Sequence, residues 1–337
     1  MGRKSIEMVC GVDVSKDHLD LCFNDKKNII RNSKVENNAR GHAALIKKLG
    51  IHRTYVMESS GPYCVRLAFK LSKMGADVRV ESALVVKRFI QMNMERNKSD
   101  KKDAAWLYRF GLEREATKWK MPSREQTHCA QMLSSIDLLK RQTTMLSNHL
   151  HSLDPLPVYN RDVKLGLQRA QKKLTNEIAK LEDRLVETLD EWQSEQRKNL
   201  ITIPGLGNRA AALLIVHTDG FKNVTNHRQL SALAGLVPRE YTSGSSVRGK
   251  KGICKMGNAR LRNVLYMCSM SAIKYNKACR ELYDRLRAAG KNGKVALIAV
   301  CNKLLKQAFA IAKNGQPYKE DHNSNLNKIR QLQSGEP

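Results

Sequence analysis

The sequence predicts an α/β N-terminal domain built on a mixed sheet, then a helical, coiled-coil-like middle, then a mainly α-helical C-terminal region. Two observations carry this. Short β-branched runs alternate with 3.6-periodic segments over the first hundred residues, and from about Gln126 the pattern becomes purely helical.

EMVCGVDV, HLDLCFND and NIIRNSKVE read as three strands of a hairpin meander, from their β-branched content and short polar breaks. ARGHAALIKKLG is a helix ended by Gly50, and TYVMES a fourth strand. PYCVRLAFKLSKMG is a helix opened by Pro62 and closed by Gly75, and DVRVES a fifth strand. A long helix runs from about Gln126 to Leu153 and is broken by DPLP, Asp154 to Pro157. In the next helix Leu167, Leu174, Ile178, Leu181, Leu185 and Trp192 recur at helical spacing. A hairpin within the chain and a coiled-coil dimer compete for this seam. NLITIPGLGNRAAALLI sets a Pro-Gly-Leu-Gly turn between two apolar helical stretches. It fits a helix-hairpin-helix, whose turn offers backbone N–H groups to phosphate, and equally a plain αα-turn. Residues 239–255, REYTSGSSVRGKKGICK, read as a basic Gly/Ser-rich loop. Helices resume in GNARLRNVLYMCSMSAIKY and GKVALIAVCNKLLKQAFAIAKNG, and residues 321–337 read as disordered.

A chain of 337 residues holds two or three domains, each able to bury a core. Its formal charge is +28, and half of that lies between Arg239 and Lys313, where 17 Lys and Arg face 3 acids. Such a surplus is the footprint of phosphate binding, so the expected partner is a polyanion. No apolar stretch reads as long enough for a bilayer, and the N-terminus lacks a signal-peptide core, so no membrane role is expected. The eight cysteines form no CxxC pair and read as reduced core residues of a cytoplasmic protein.

Four acids stand out. Asp13 lies in VCGVDVSK and Glu58 in TYVMESSG, each near the end of a predicted strand. Asp100 and Asp103 lie in NKSDKKDAAWL, where a three-residue spacing puts both on one helix face. Two strand-end carboxylates and a helical pair can gather oxygen ligands around Mg²⁺, and such ions can clamp a phosphodiester. Asp17 and Asp20 read instead as solvated or capping residues of a polar turn. In SGSSVRGKK, the serines Ser243, Ser245 and Ser246 sit beside Arg248, Lys250 and Lys251. A serine among phosphate-binding cations can attack phosphorus, or can simply hydrogen-bond a gripped phosphate. Lys255, Arg260 and Arg262 extend the basic set.

The run GVDVSK, VMESSGPY, KSDKKDA, IPGLG, LAGLVPREYTSGSSVRGKK and GNARLRNVLY, in that order, resembles the DEDD-type insertion-sequence transposases over nearly the whole length. These are bridge-RNA-guided serine recombinases with relatives among pilin-gene invertases. The resemblance implies an N-terminal domain similar to the RuvC resolvase, an RNase H-like fold, over residues 1–155. A coiled-coil segment over 156–198, a serine-bearing transposase domain over 199–320 and a tail over 321–337 would follow. It implies Mg²⁺ on Asp13, Glu58, Asp100 and Asp103, and Ser243, first of the SGSS run, as nucleophile. It further implies double-stranded donor and target DNA, a structured guide (bridge) RNA, dimers assembling to tetramers, and a place at the bacterial nucleoid. Where the family has EATG at the second acid, this chain has ESSG. The competing readings are a DNA invertase of the same family, a resolvase-like hydrolytic nuclease with a structural Ser243, and a non-catalytic nucleic-acid binder.

Overall fold

The three N-terminal apolar runs pair as the expected meander: β1 (Val9–Val14), β2 (His18–Asn24) and β3 (Ile30–Glu36) are antiparallel neighbours. Ser15 closes the first turn, its hydroxyl donating to the His18 carbonyl at 2.8 Å and accepting from the His18 N–H at 3.0 Å. The Asp25 carboxylate closes the second, accepting from the N–H groups of Lys27 and Ile29, each at 2.9 Å. A computed structural model describes residues 8–59, 61–94, 100–239, 242–243, 247–248 and 252–320, with backbone alone at 100, 242–243 and 247–248. By internal packing the chain divides into residues 1–121 and 122–337.

In the first unit α1 (Ala39–Leu49) is capped by Asn38, which accepts from the Gly41 N–H at 2.9 Å, and ends at Gly50 with φ +75°. It leads to β4 (Thr54–Ser59), and α2 (Pro62–Lys73) leads on to β5 (Asp77–Ser82). Both strands run parallel to β1, so the sheet order is β3-β2-β1-β4-β5. This mixed sheet is consistent with the RNase H-like layout implied by the resemblance. The two-residue alternation of a strand then sorts side chains between two cores. Cys10, Val12, Val14, Tyr55 and Met57 pack with Leu45 of α1 and Leu67 and Leu71 of α2. Val9, Cys22 and Val56 face the other way, onto α3 (Ala83–Met92) and α4 (Asp100–Glu113), through Val86, Phe89, Ala104, Leu107, Tyr108 and Phe110.

The second unit opens with α5 (Arg124–Leu153) and α6 (Arg161–Ile201), which fold back on each other. Of the predicted seam, Ile178 and Leu185 are buried in a core shared with Cys129, Leu133 and Ile136 of α5, so this part of the apolar stripe is used within the chain. The sequence boundary at 155 assigns α5 to the first domain, whereas the packing division falls after Met121 and α5 packs on α6 and α7 (Asn208–Thr218). α6 departs from helical backbone at Gln193 (φ −144°, ψ 48°). Across that break Arg197 donates to both Asp190 carboxylate oxygens, at 2.6 and 2.7 Å, and to Asn208 at 2.9 Å.

The Pro-Gly-Leu-Gly turn joins α6 to α7. Gly205 has φ +98°, and a Cβ there would meet the Ala272 side chain at 2.7 Å, so packing accounts for this glycine without any phosphate. After α7 come α8 (His227–Leu233), then β6 (Pro238–Arg239), β7 (Thr242–Ser243), β8 (Val247–Arg248) and β9 (Gly252–Ile253). β6 pairs with β9 and β7 with β8, both antiparallel. The expected loop is therefore a two-rung ribbon. α9 (Ala259–Tyr275), α10 (Lys277–Ala288) and α11 (Gly293–Asn314) complete the unit. The sequence reading did not anticipate α3, α8 or α10, and its disordered tail lies outside the described residues. One described helix, α11, is long and apolar enough to cross a bilayer, contrary to the expectation of none. Its face of Val300, Leu304, Leu305 and Ala308 is buried in the second unit's core.

Asn276, fully buried between α9 and α10, ties this unit together. Its amide nitrogen donates to the Gln307 side-chain oxygen at 3.1 Å, and its oxygen accepts from Cys279 N–H and Tyr318 O–H, each at 3.2 Å. Asn276→Ala strands one buried and two half-buried partners at once and should destabilise the protein by about 3 kcal/mol. Urea unfolding of the full chain checks this; a loss below about 1 kcal/mol contradicts the hub role.

Candidate active site and nucleic-acid interface

On β1 the residues facing α4 are Val9, Gly11 and Asp13, and on β4 they are Val56 and Glu58, by the same alternation that sets the two cores. The parallel register matches Val12 to Met57, so Asp13 and Glu58 come next along adjacent strands, about 4.8 Å apart in the sheet direction. α4 lies on this face at unusually close range. A Cβ on Gly11 would collide with the backbone N of Tyr108 and O of Ala104, and would sit 2.8 Å from the Leu107 carbonyl carbon. At the other end, a Cβ on Gly111 would meet Val56 at 2.7 Å and Val9 at 2.9 Å. The helix thus runs back along β1, and its first turn, carrying Asp100 and Asp103, lies over the carboxyl ends of β1 and β4.

Asp13, Glu58 and Asp103 are all half-buried, and each makes a polar or charge contact. Only backbone is described at Asp100. Carboxylates from two strand ends and one helix turn are the hard oxygen donors that suit Mg²⁺, so in donor chemistry the set fits such an ion. Among the described residues no three Asp, Glu, His or Cys side chains converge tightly enough to hold a metal.

The sheet extends the acidic row beyond the predicted four. Asp20, which the sequence assigned to a turn, lies within β2 in register with Asp13 and pairs with Lys34 of β3 at 3.5 Å. Glu81 of β5 is in register with Glu58 and accepts from the N–H and hydroxyl of Thr117, each at 3.2 Å. Both were detectable only through strand register, which a single strand's pattern does not reveal.

In the second unit Ser243 ends the β7–β8 ladder, opposite Val247 and next to the ribbon tip. Ser245, Ser246, Lys250 and Lys251 lie outside the described residues, as do the side chains of Ser243 and Arg248. Lys255 is exposed at the ribbon's foot, with φ +57°. The two arginines of α9 are occupied internally. Arg260 pairs with Asp137 of α5 and donates to the Leu133 carbonyl, and Arg262 donates to the Ala234 carbonyl at 2.9 Å. Burial pulls the Arg260 guanidinium below its usual range, with Asp137 opposing the shift. Burial likewise lowers the pKa of neighbouring His217, helped by the Arg260 charge, and His217 shares a 2.8 Å hydrogen bond with Asn258. Arg260 and Arg262 therefore hold the fold, whatever else they touch.

Two family models match in tandem, one described as Transposase over residues 10–154 and one as Transposase IS116/IS110/IS902 family over residues 197–284. The first spans the four acids and runs through α5; the second spans the ribbon with Ser243. A pilin gene-inverting protein of Moraxella bovis is 24% identical over 318 residues, covering 91% of this chain and 96% of that protein. The transposase for insertion sequence element IS1328 of Yersinia enterocolitica is 28% identical, covering 72% of this chain and 63% of that protein. The transposase for IS1111A of Coxiella burnetii is 22% identical, covering 92% and 91%.

Because Gly11 lets α4 rest on β1, Gly11→Ala should lift the helix and spread the acids while removing none of them. DNA cleavage should fall at least 100-fold, whereas Gly111→Ala, which meets only valine side chains at the far end, should cost stability but less than tenfold in rate. Single-turnover cleavage by the two variants measures the difference; equal losses would detach the acids from the seating of α4.

Proposed function

Because the chain belongs to the IS116/IS110/IS902 family of transposases, we propose that it cuts and rejoins DNA through a transient link between Ser243 and a DNA phosphate. The seating of Asp13 and Glu58 side by side beneath the first turn of α4 is the observation that supports this reading most strongly. In the proposed step the Ser243 hydroxyl oxygen attacks phosphorus, one serine–phosphorus bond forms, and one bond to a deoxyribose oxygen breaks. The serine proton ends on the departing sugar oxygen, which leaves as a hydroxyl. A hydroxyl from another DNA end reverses these events, so the phosphodiester count is conserved and no high-energy cofactor is consumed.

Asp13, Glu58, Asp100 and Asp103 would hold Mg²⁺, which when bound supplies positive charge to the phosphate oxygens as the transition state forms. Arg248, Lys250, Lys251 and Lys255, on or beside the serine ribbon, would position phosphates. Donor and target DNA would be selected by a structured guide RNA, and the protein would work as a homo-oligomer, a dimer assembling to a tetramer, in the bacterial cytoplasm at the nucleoid. A second reading is site-specific inversion by the same chemistry. It is favoured by the pilin gene-inverting relative, which this chain covers over 96% of its length. A plasmid carrying inverted sites, scored for inversion against insertion into a second plasmid, separates the two.

Ser243→Ala should abolish the protein–DNA adduct seen on denaturing gels, while DNA binding stays near wild type. An adduct that survives Ser243→Ala but vanishes in Ser245→Ala or Ser246→Ala would move the nucleophile.

Asp13→Ala, Glu58→Ala, Asp100→Ala and Asp103→Ala should each block cleavage and remove most of the Mg²⁺-dependent rise in Tm. Without Mg²⁺ their Tm should equal or exceed wild type, because clustered carboxylates repel. A markedly lower metal-free Tm would make these acids structural partners of basic side chains.

A further inference from the structure

The row of carboxylates at the sheet edge repels the phosphate it is proposed to cleave, so a grip must come from cations close by. We propose that the outward face of α3 supplies it, binding the DNA strand presented to the acids; this rests on the proposed reading of that site. Ser82 ends β5 and is also the residue from which α3 starts. Since Glu58 is in register with Glu81, α3 begins at the edge that carries the acids, two strand spacings or about 10 Å from Asp13 in the sheet direction. The helix is seated by Val86 and Phe89, both buried. The Phe89 ring stands edge-on to Trp106 at 6.0 Å and to Phe110 at 5.1 Å, so α3 is fixed to the helix that bears Asp100 and Asp103.

With the inner face so assigned, Leu84, Arg88, Gln91 and Met92 recur at i, i+4, i+7 and i+8 on the outer face, flanked by Val85 and Lys87. Leu84 is 42% exposed and Met92 59%, and Lys87 and Arg88 are exposed too. The helix itself carries no acid to pair with these cations; Glu81, just before it, is engaged with the Ser82 N–H at 2.8 Å. Two cations suit phosphates, and the apolar side chains suit sugars and unstacked bases. That pairing of charge with apolar surface, continuous with the acidic site, favours a DNA strand over a second protein chain.

The test uses the full chain and a fluorescein-labelled single-stranded 30-mer DNA, with binding followed against NaCl. Lys87→Gln/Arg88→Gln should lower the slope of log Kobs against log[NaCl] by about 1.4, two phosphate contacts at about 0.7 each. Lys26→Gln/Lys27→Gln removes the same charge from the β2–β3 turn at the opposite edge and should leave the slope unchanged. Leu84→Ser/Met92→Ser should weaken binding at least threefold at constant slope. An unchanged slope in the α3 double variant, or equal slope changes in both lysine-bearing pairs, overturns the proposal. So does a Leu84→Ser/Met92→Ser protein that binds DNA normally but sediments as a smaller species, which would make this face a contact between copies. If the wild-type acids show no response to Mg²⁺, the cleavage reading fails, and the slope difference still decides whether α3 grips DNA.

Discussion

The contact between α4 and the bare backbone at Gly11 is the constraint on which the first unit depends. A strand normally keeps a helix at a distance set by its side chains; here one is missing, and helix backbone lies directly on strand backbone. The close approach seats Ala104, Leu107 and Tyr108 against Val9, Cys22 and Val56, and closes a small core that also holds α3 through Phe89. It also sets the direction of α4, whose first turn comes to the carboxyl ends of the two central strands. The side-chain gap that packs the core is therefore the same gap that gathers the acids.

Placing these acids together has an electrostatic cost, and the structure shows how part of it is met. Asp20 stands opposite Asp13, an arrangement of like charges that is unfavourable across an antiparallel pair, and Lys34 on the next strand offsets it. Glu81, beside Glu58, is held by the backbone and hydroxyl of Thr117. The chain's positive charge is put to two distinct uses. Arg197 and Arg260 are set among helices, each with an aspartate: Arg197 bridges the break in α6, and Arg260 joins α9 to α5. Lys87, Arg88 and Lys255 stay exposed, where a polyanion can reach them.

The second unit rests on polar joints within an apolar core. α7 is buried from Ala210 to Val216, and Gly205 lets α9 approach. Asn276 links the α9–α10 corner to α11 and to Tyr318 near the end of the described chain. Ser243 lies in one of two short antiparallel ladders that follow α8, β6 with β9 and β7 with β8.

Much of this was legible in the residues alone. Alternation and turn chemistry mark all five strands of the sheet, Pro62 and Gly50 bound their helices, and the spacing of Asp100 and Asp103 shows a helical pair. The motif order located the acids and the serine without any coordinates. Other features were not legible, because they belong to pairs of elements and not to any one of them. Strand register brought Asp20 and Glu81 into the acidic row, and long-range ion pairing gave Arg260, expected from sequence only as a phosphate ligand, a supporting role between α5 and α9. Whether the apolar stripe of α6 would meet α5 or another chain was undecidable from its period, since either partner buries the same side chains. Local sequence determines which backbone forms and which face is apolar; only tertiary packing decides what that face meets, because the free energy of burial carries no direction.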